Sequence, residues 1–164
     1  MLNYVRRGRG EPLVLVHGIG SHWQMWSPVL DHLAAERDVL AIDLPGFGRS
    51  AVLDRPPTVA ALARPWRMSA EDAIRATHDL ADAPGFEATL AHVIDVDWSH
   101  GDLDVPVTIG WGTRDLLLVG RQGRRARRRV PLARHVWLRG CGHVPTWDDP
   151  EQAAAVLLAG SRDA

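Results

Sequence analysis

The feature that most constrains the fold of this chain is a short apolar run that ends abruptly at a polar, turn-rich loop. Leu13–Val16 stops at His17-Gly18, and Val39–Ile42 stops at Asp43 and the turn formers after it. A short apolar run between turn residues is typical of a strand buried on both faces, as in a parallel sheet. The pattern therefore predicts two such strands, each followed by a loop at the same edge of one sheet.

The segment between these two runs has the spacing of an amphipathic helix. Its apolar residues recur at intervals of three and four positions, namely Trp26, Val29, Leu30 and Leu33. Ser27 offers a side-chain cap and Pro28 suits a first turn, so the helix is predicted to begin here. Strand, helix and strand in succession predict an α/β fold with a parallel sheet and right-handed crossovers.

The rest of the chain repeats this alternation, except in its middle. Strands are predicted at Asn3–Arg6, Val105–Trp111 and His135–Leu138, and helices at Arg121–Arg129 and from Asp149 to Gly160. Between residues 55 and 100, proline-rich chain is followed by helical patterns that start at Ser69 and near Phe86, without a strong strand pattern. We expect a single domain of residues 1–164 with α/β segments at both ends.

Composition and charge exclude several classes of protein. The 164 residues carry a formal net charge of −1, which gives no general attraction to nucleic acid or to an anionic membrane. A cluster of arginines is interpreted as the solvated face of a helix rather than a nucleic-acid patch: Arg121, Arg124, Arg125, Arg127, Arg128 and Arg129. The single cysteine, Cys141, allows no intrachain disulfide, and no apolar run is long enough to span a bilayer. A soluble cytoplasmic protein is expected.

Three strand ends carry residues whose chemistry indicates a site. The first loop is His17–Gly20, the second is Trp111–Asp115 and the third is Gly140–Pro145, which contains His143. A glycine-rich turn lets backbone N–H groups face a ligand, and the other two loops carry an acid and a histidine. Because sites in open parallel sheets lie at the carboxyl ends of strands, we expect these loops to contribute to one site.

These loops resemble those of the α/β-hydrolase superfamily. His17–Gly20 resembles its oxyanion loop, and Asp43–Ser50 resembles the D-x-P-G-x-G-x-S loop after the next strand. Asp115 matches the acid of W-G-x-x-D, and His143 matches the histidine of G-x-G-H. The resemblance implies a reduced α/β-hydrolase-type, mostly parallel sheet flanked by helices, with a remnant helical cap. It divides the domain into an N-terminal core (1–63), cap-like helices (64–100) and a C-terminal core (101–164).

The resemblance also implies roles for individual residues. His143 would be the base that takes a proton from a nucleophile, and Asp115 the acid that fixes the imidazole tautomer. The first loop, at Gly18, Ile19 and Gly20, would bind the developing oxyanion through the backbone N–H of Ile19. The implied substrate is a small apolar ester or related acyl compound, and neither a metal nor an organic cofactor is implied.

Each assignment has a plainer alternative. Asp115 and His143 can be an ordinary loop acid and a satisfied loop histidine, and His17 can simply cap a tight turn. Several tryptophans can either line an apolar acyl pocket or pack in the core, namely Trp23, Trp26, Trp66 and Trp147. Gly20 stands where epoxide-opening members of the family carry proline, which favours hydrolysis of esters or of carbon–carbon bonds.

One element of the family is missing from the sequence. The nucleophile should lie on a G-x-S-x-G elbow between the loops of Asp43 and Asp115. None of the serines has these neighbours, namely Ser21, Ser27, Ser50, Ser69, Ser99 and Ser161. The strand and helix of the elbow and the next strand are missing as well. This indicates a deletion joined near Ala63 and Arg64.

The missing elbow has two consequences. Hydrolytic activity is doubtful, so the alternative is a non-catalytic, truncated protein that binds a small ligand or a partner. Loss of central strands also leaves sheet edges with unpaired N–H and C=O groups. The strands Leu13–Val16 and Val105–Trp111 are therefore expected either to pair directly or to recruit a second chain as a homo-oligomer.

Overall fold

The structure is a computed structural model that describes two long stretches of the chain. These are residues 3–43 and 105–162, together with Phe47, Ser69, Glu71, Ile74, Arg75, His78, Ala83 and Phe86. The described residues fall into two compact units, with residues 105–162 in the second and the others in the first. Most of the predicted cap-like segment 64–100 lies outside the described residues. At its isolated described positions Glu71, Ile74, Arg75 and His78 are helical, as the pattern after Ser69 predicts.

The first unit contains a three-stranded mixed sheet. Its strands are β1 (Tyr4–Gly8), β2 (Pro12–Val16) and β3 (Asp38–Ile42), in the order β1-β3-β2. β2 runs parallel to β3, as predicted from the two apolar runs, and β1 runs antiparallel to β3. β1 continues through Gly8, two residues past the predicted end of this strand.

Burial along β2 differs from the prediction of a strand covered on both faces. Leu15 is 3% exposed, whereas Val14 is 53% and Val16 is 47% exposed. Side chains alternate between the two faces of a strand, so β2 is buried on the face of Leu15 and open on the other. The sequence pattern overstated burial because a run of valine and leucine does not report how many layers cover the sheet.

A short 3-10 helix (Trp23–Trp26) leads directly into α1 (Ser27–Ala34). The apolar stripe of α1 is buried as predicted, with Val29, Leu30 and Leu33 at most 1% exposed. The N-cap of α1 is Trp26, which has helical backbone angles and makes no side-chain cap bond, so Ser27 is the first residue of the helix and not its cap. The preceding 3-10 turn replaces the side-chain cap that the sequence predicted.

An exposed ion pair joins the two antiparallel strands of the first unit. The guanidinium of Arg6 donates two hydrogen bonds to the carboxylate of Asp38. The hydrogen bond from Arg6 lowers the pKa of Asp38 below its ordinary value of 3.8, against a smaller opposing effect of burial. A carboxylate whose pKa is lowered on folding stabilises the fold above its unfolded pKa. That stabilisation is lost as pH falls through the folded pKa.

We therefore expect Asp38→Asn to destabilise the chain slightly at pH 7 and to have a smaller effect near pH 3. Urea unfolding of both proteins at the two pH values measures this difference. Asp31→Asn is the matched control. It neutralises an acid of α1 that forms an ion pair with Arg7. An effect of Asp38→Asn that grows towards acid pH would contradict the assigned interaction.

The second unit alternates strands and helices in the predicted order. Its elements are β4 (Thr108–Gly112), α2 (Gly120–Arg129), β5 (Arg134–Leu138), α3 (Pro145–Asp148) and α4 (Pro150–Arg162). β4 and β5 are parallel neighbours. β4 begins later than the predicted Val105, because Pro106 has no N–H for a strand ladder and Val105 is 62% exposed.

Two glycines of the second unit allow close packing of helices. Gly160 lies inside α4, not at its end as predicted, and a Cβ there would lie 3.0 Å from Oγ1 of Thr108. Gly123 is the buried residue of α2, and a Cβ there would meet the indole of Trp111 at 2.9 Å. All the arginines of α2 are exposed, and the interpretation of this cluster as a solvated face stays a prediction.

Within the described strands, β2 pairs with β3 in one sheet and β4 pairs with β5 in a second sheet. The expected direct pairing of the Leu13–Val16 and Val105–Trp111 strands and the alternative recruitment of a second chain both stay predictions. No helix within the described residues is long and apolar enough to cross a membrane.

Candidate functional site

The second unit places the predicted acid and histidine in direct contact. Nδ1 of His143 lies 3.0 Å from Oδ2 of Asp115, although 28 positions separate the two residues in the sequence. The Asp115 side chain is 6% exposed and that of His143 is 33% exposed. A buried carboxylate on Nδ1 with a partly open imidazole is the geometry in which Nε2 can serve as a base.

The carboxylate of Asp115 is held in one orientation by its own loop. Oδ1 accepts hydrogen bonds from the N–H groups of Leu117 at 2.9 Å and Leu118 at 2.7 Å. The indole of Trp111 donates to the carbonyl of Leu118 at 2.8 Å, which ties this turn to β4. Because Oδ1 is committed to these two donors, Oδ2 is left for the histidine.

The acid loop and the histidine loop are also joined through the backbone. The N–H of Arg114 donates to the carbonyl of Cys141 at 2.8 Å, and the N–H of Gly140 donates to Oγ1 of Thr113 at 2.8 Å. Gly112, at the end of β4, lies so close to the histidine loop that an added Cβ would be 2.2 Å from the carbonyl oxygen of Gly142. The distance between acid and histidine is thus set by bonded loops as well as by the two side chains.

The first unit contains the predicted oxyanion loop. His17 is buried, its Nδ1 donates to the carbonyl of Gly18 at 2.7 Å, and its ring meets Phe47 edge-on. Gly20 has a φ of 72°, which favours glycine, and a Cβ on Gly18 would have no neighbour within 4 Å among the contacts described. Ile19 is 40% exposed. The hydrogen bond of His17 is what its interpretation as the cap of a tight turn requires.

Asp43 connects three parts of the first unit. It is 6% exposed, and its carboxylate accepts from the backbone N–H of Trp23 at 2.6 Å and from Nδ2 of Asn3 at 2.7 Å. The Trp23 side chain is half-buried, and a role of it in an acyl pocket stays a prediction. The end of β3 therefore fixes the backbone that follows the oxyanion loop, which the loop motif alone did not reveal.

Several residues and features named from the sequence lie outside the described residues. These are Leu44–Gly46, Gly48–Ser50, the joint near Ala63 and Arg64, and Ser99. In the part of the chain that the structure describes, Ser21, Ser27, Ser69 and Ser161 are the serines, and Ser161 donates to the carbonyl of Leu158. Over the same residues no group of histidine, cysteine and acidic side chains has a metal-binding arrangement.

Sequence reasoning missed Asp148, the acid at the end of α3. It is 0% exposed, and its Oδ2 accepts the N–H of Gly142 at 2.7 Å. A four-residue helix has no periodic pattern, and Asp148 lies beside the more obvious helix-starting Asp149. The available signal was an acid five positions after the site histidine.

This chain is similar to known proteins of one family. Residues 13–120 match the model of the Alpha/beta hydrolase family. The chain is 39% identical over 51 residues to an (E)-2-((N-methylformamido)methylene)succinate hydrolase of Acinetobacter baylyi, covering 31% of this chain and 19% of that protein. It is 41% identical over 49 residues to a pimeloyl-[acyl-carrier protein] methyl ester esterase of Legionella pneumophila, covering 30% and 20%. These matches thus span only about a fifth of each relative.

Solved structures show the same fold at low sequence identity. A bromoperoxidase from Bacillus anthracis superposes with a TM-score of 0.76 at 14% identity, over 99% of this chain and 95% of that one. A thermophilic esterase from Thermogutta terrifontis superposes with a TM-score of 0.68 at 15% identity, over 98% and 93%. The family match covers most of the chain and the fold agrees with it. The chain belongs to the α/β-hydrolase family.

Proposed function

We propose that this chain descends from serine hydrolases that cleave esters or related acyl bonds, including carbon–carbon bonds, with His143 as base and Asp115 as its acid. The observation that carries the proposal is the 3.0 Å contact between Nδ1 of His143 and a buried carboxylate whose other oxygen is already occupied. That arrangement leaves Nε2 to accept a proton. A methyl ester esterase and a succinate hydrolase among the relatives support an acyl substrate.

The oxyanion loop is assigned to the backbone of Gly18, Ile19 and Gly20, with the N–H of Ile19 as donor. His17 shapes this loop through its bond to the Gly18 carbonyl. The substrate is a small apolar ester-like compound, and Trp23 contributes an apolar surface for it. Neither cofactor nor metal takes part in this proposal.

The missing nucleophile favours a second function for the same site. No G-x-S-x-G segment occurs in the sequence, so the chain is proposed to be a truncated, cytoplasmic member of the family. As a single domain it would retain the acid–histidine pair and bind a small apolar ligand without turning it over. It would bind neither nucleic acid nor membrane, and its sheet edges would allow a homo-oligomer.

The pair is tested by Asp115→Asn. In the variant, the N–H groups of Leu117 and Leu118 still require an acceptor at the Oδ1 position, so the amide nitrogen must take the place of Oδ2. That nitrogen donates to Nδ1 of His143, and the imidazole proton is expected to move to Nε2. The corresponding substitution in serine proteases gives the wrong tautomer and costs about 10⁴-fold in turnover.

Long-range ¹⁵N–¹H spectra of the neutral imidazole measure this change of tautomer, with His143→Ala used to assign the signals. Asp149→Asn is the matched control, since its carboxylate bonds to Gln152 and not to the histidine. The wild-type chain should show the Nδ1–H tautomer and Asp115→Asn the Nε2–H tautomer. The same tautomer in both proteins would refute the acid–base assignment.

A further inference from the structure

Asp148 is a fully buried acid that the proposed chemistry does not use. It is 0% exposed, and the hydrogen bond given for its carboxylate goes to the backbone of the histidine loop. Burying a carboxylate is costly unless strong hydrogen bonds compensate it. An acid retained at such a position therefore indicates that its hydrogen bonds matter to the loop that surrounds it.

Asp148 forms hydrogen bonds with the residue before His143 and with the residue after it. Oδ2 of Asp148 accepts the N–H of Gly142, which precedes the histidine, at 2.7 Å. The backbone N–H of Asp148 donates to the carbonyl of Val144, which follows the histidine, at 3.3 Å. The short helix α3 brings Asp148 back onto this loop, and the N–H of Trp147 shares the Val144 carbonyl at 3.1 Å.

We propose that Asp148 is a positioning residue for His143, because its buried carboxylate fixes the Gly142 amide and so aims the imidazole at Asp115. This inference rests on the proposed role of the His143–Asp115 pair. The two carboxylates act on different parts of one histidine: Asp115 holds the ring, and Asp148 holds the backbone that carries it. A bond from a backbone N–H to a charged acceptor is stronger than one to a neutral acceptor.

The neighbouring residue supplies a matched control. Oδ1 of Asp149 accepts the N–H of Gln152 at 3.1 Å, so Asp149 caps α4. It is linked to the histidine loop through Gln152, whose amide donates to Sγ of Cys141 at 3.6 Å, and not through the Gly142 amide that Asp148 holds. Asp149→Ala therefore removes an acid of the same size, one position away, and weakens a helix. If general loosening of the second unit were enough to disturb His143, Asp149→Ala would disturb it as well.

The experiment compares Asp148→Ala, Asp148→Asn and Asp149→Ala in the full chain by NMR. The first readout is hydrogen exchange of the Gly142 amide, and the second is the resonance of the His143 Nδ1 proton. In Asp148→Ala we expect Gly142 exchange to accelerate about tenfold or more, since a buried donor loses its acceptor. The Nδ1 proton should weaken or disappear as the ring leaves Asp115.

Asp148→Asn keeps an oxygen acceptor at the same place and should rescue the Nδ1 proton, with Gly142 exchange within about threefold of wild type. Asp149→Ala should lower the thermal midpoint without changing either readout. If Asp148→Ala does not fold, Asp148→Ser replaces it in the comparison, because serine has a small polar side chain beside Gly142. Fast Gly142 exchange with an unchanged Nδ1 proton would overturn the positioning role.

Failure of this inference can be distinguished from failure of the proposed function. If Asp115→Asn changes the tautomer of His143 while Asp148→Ala leaves the Nδ1 proton unchanged, the acid–base pair stands and Asp148 is structural only. If Asp115→Asn has no effect on the ring, the acid–base assignment of His143 and Asp115 is wrong, and so is the positioning role of Asp148.

Discussion

Gly112→Ala is expected to destabilise the second unit by about 3 kcal/mol, the upper end of the usual cost of overpacking. A Cβ at this position would lie 2.2 Å from the carbonyl oxygen of Gly142 and 2.5 Å from that of Cys141. Both atoms belong to backbone, so no change of side-chain rotamer relieves the clash. The acid loop and the histidine loop must move apart, which also breaks the bond from the Arg114 N–H to the Cys141 carbonyl.

Gly110→Ala is the matched control on the same strand. Its Cβ would meet Cδ1 of Leu138 at 3.3 Å, the end of a side chain that can adjust. Urea unfolding followed by tryptophan fluorescence gives the stabilities, and hydrogen exchange of the Arg114 amide reports the loop contact. We expect a large loss of stability and fast Arg114 exchange in Gly112→Ala alone. Equal stability of the two variants, with a protected Arg114 amide in both, would show that the loops tolerate a Cβ at Gly112.

Local sequence patterns predicted the helices and strands of this fold. Tertiary packing decided which of their faces are buried and where they end. The apolar stripe of α1 and the runs that became β2, β3 and β5 follow from periodicity, which depends only on neighbouring residues. The exposure of Val14 and the continuation of α4 through Gly160 depend on which layer lies opposite. A single sequence contains no direct record of that layer.

Some residues of the candidate site could be predicted from local sequence patterns, and others could not. Asp115 and His143 were found because each follows a strand in a recognisable loop, and parallel strands bring such loops to one edge. The structure places their side chains 3.0 Å apart. Asp148 was missed because its importance lies in a hydrogen bond to the backbone of Gly142, and a backbone N–H is the same in every residue but proline. Groups that act through side-chain chemistry leave a sequence signal, whereas groups that position backbone do not.

The second large effect concerns turnover. We expect the chain to hydrolyse p-nitrophenyl esters no faster than His143→Ala, because it lacks the nucleophile that the acid–histidine pair would activate. Loss of the nucleophile alone costs about 10⁶-fold in turnover in serine proteases. The elbow also supplies one of the two oxyanion donors, and loss of one such donor costs about 10²–10³-fold. The intact loop of Ile19 cannot compensate for either loss.

Labelling with a fluorophosphonate, followed by intact mass and peptide mapping, is the sharper form of this test. Cys141, the cysteine of the histidine loop, is 0% exposed and is not expected to react. Ser99→Ala and Cys141→Ala accompany His143→Ala as controls, so that any adduct can be assigned to one residue.

A single adduct that depends on His143 would overturn the inference of a missing nucleophile, and the mapped residue would take that role. The expected result is no adduct on a chain whose His143 still shows the Nδ1 proton bonded to Asp115. These two results together would show that the acid–histidine pair is formed but does not activate a nucleophile. An acid–histidine pair that is formed but unreactive can still bind a polar group of a ligand through Nε2. The search for function would then turn from substrates that are cleaved to small acyl compounds that are held.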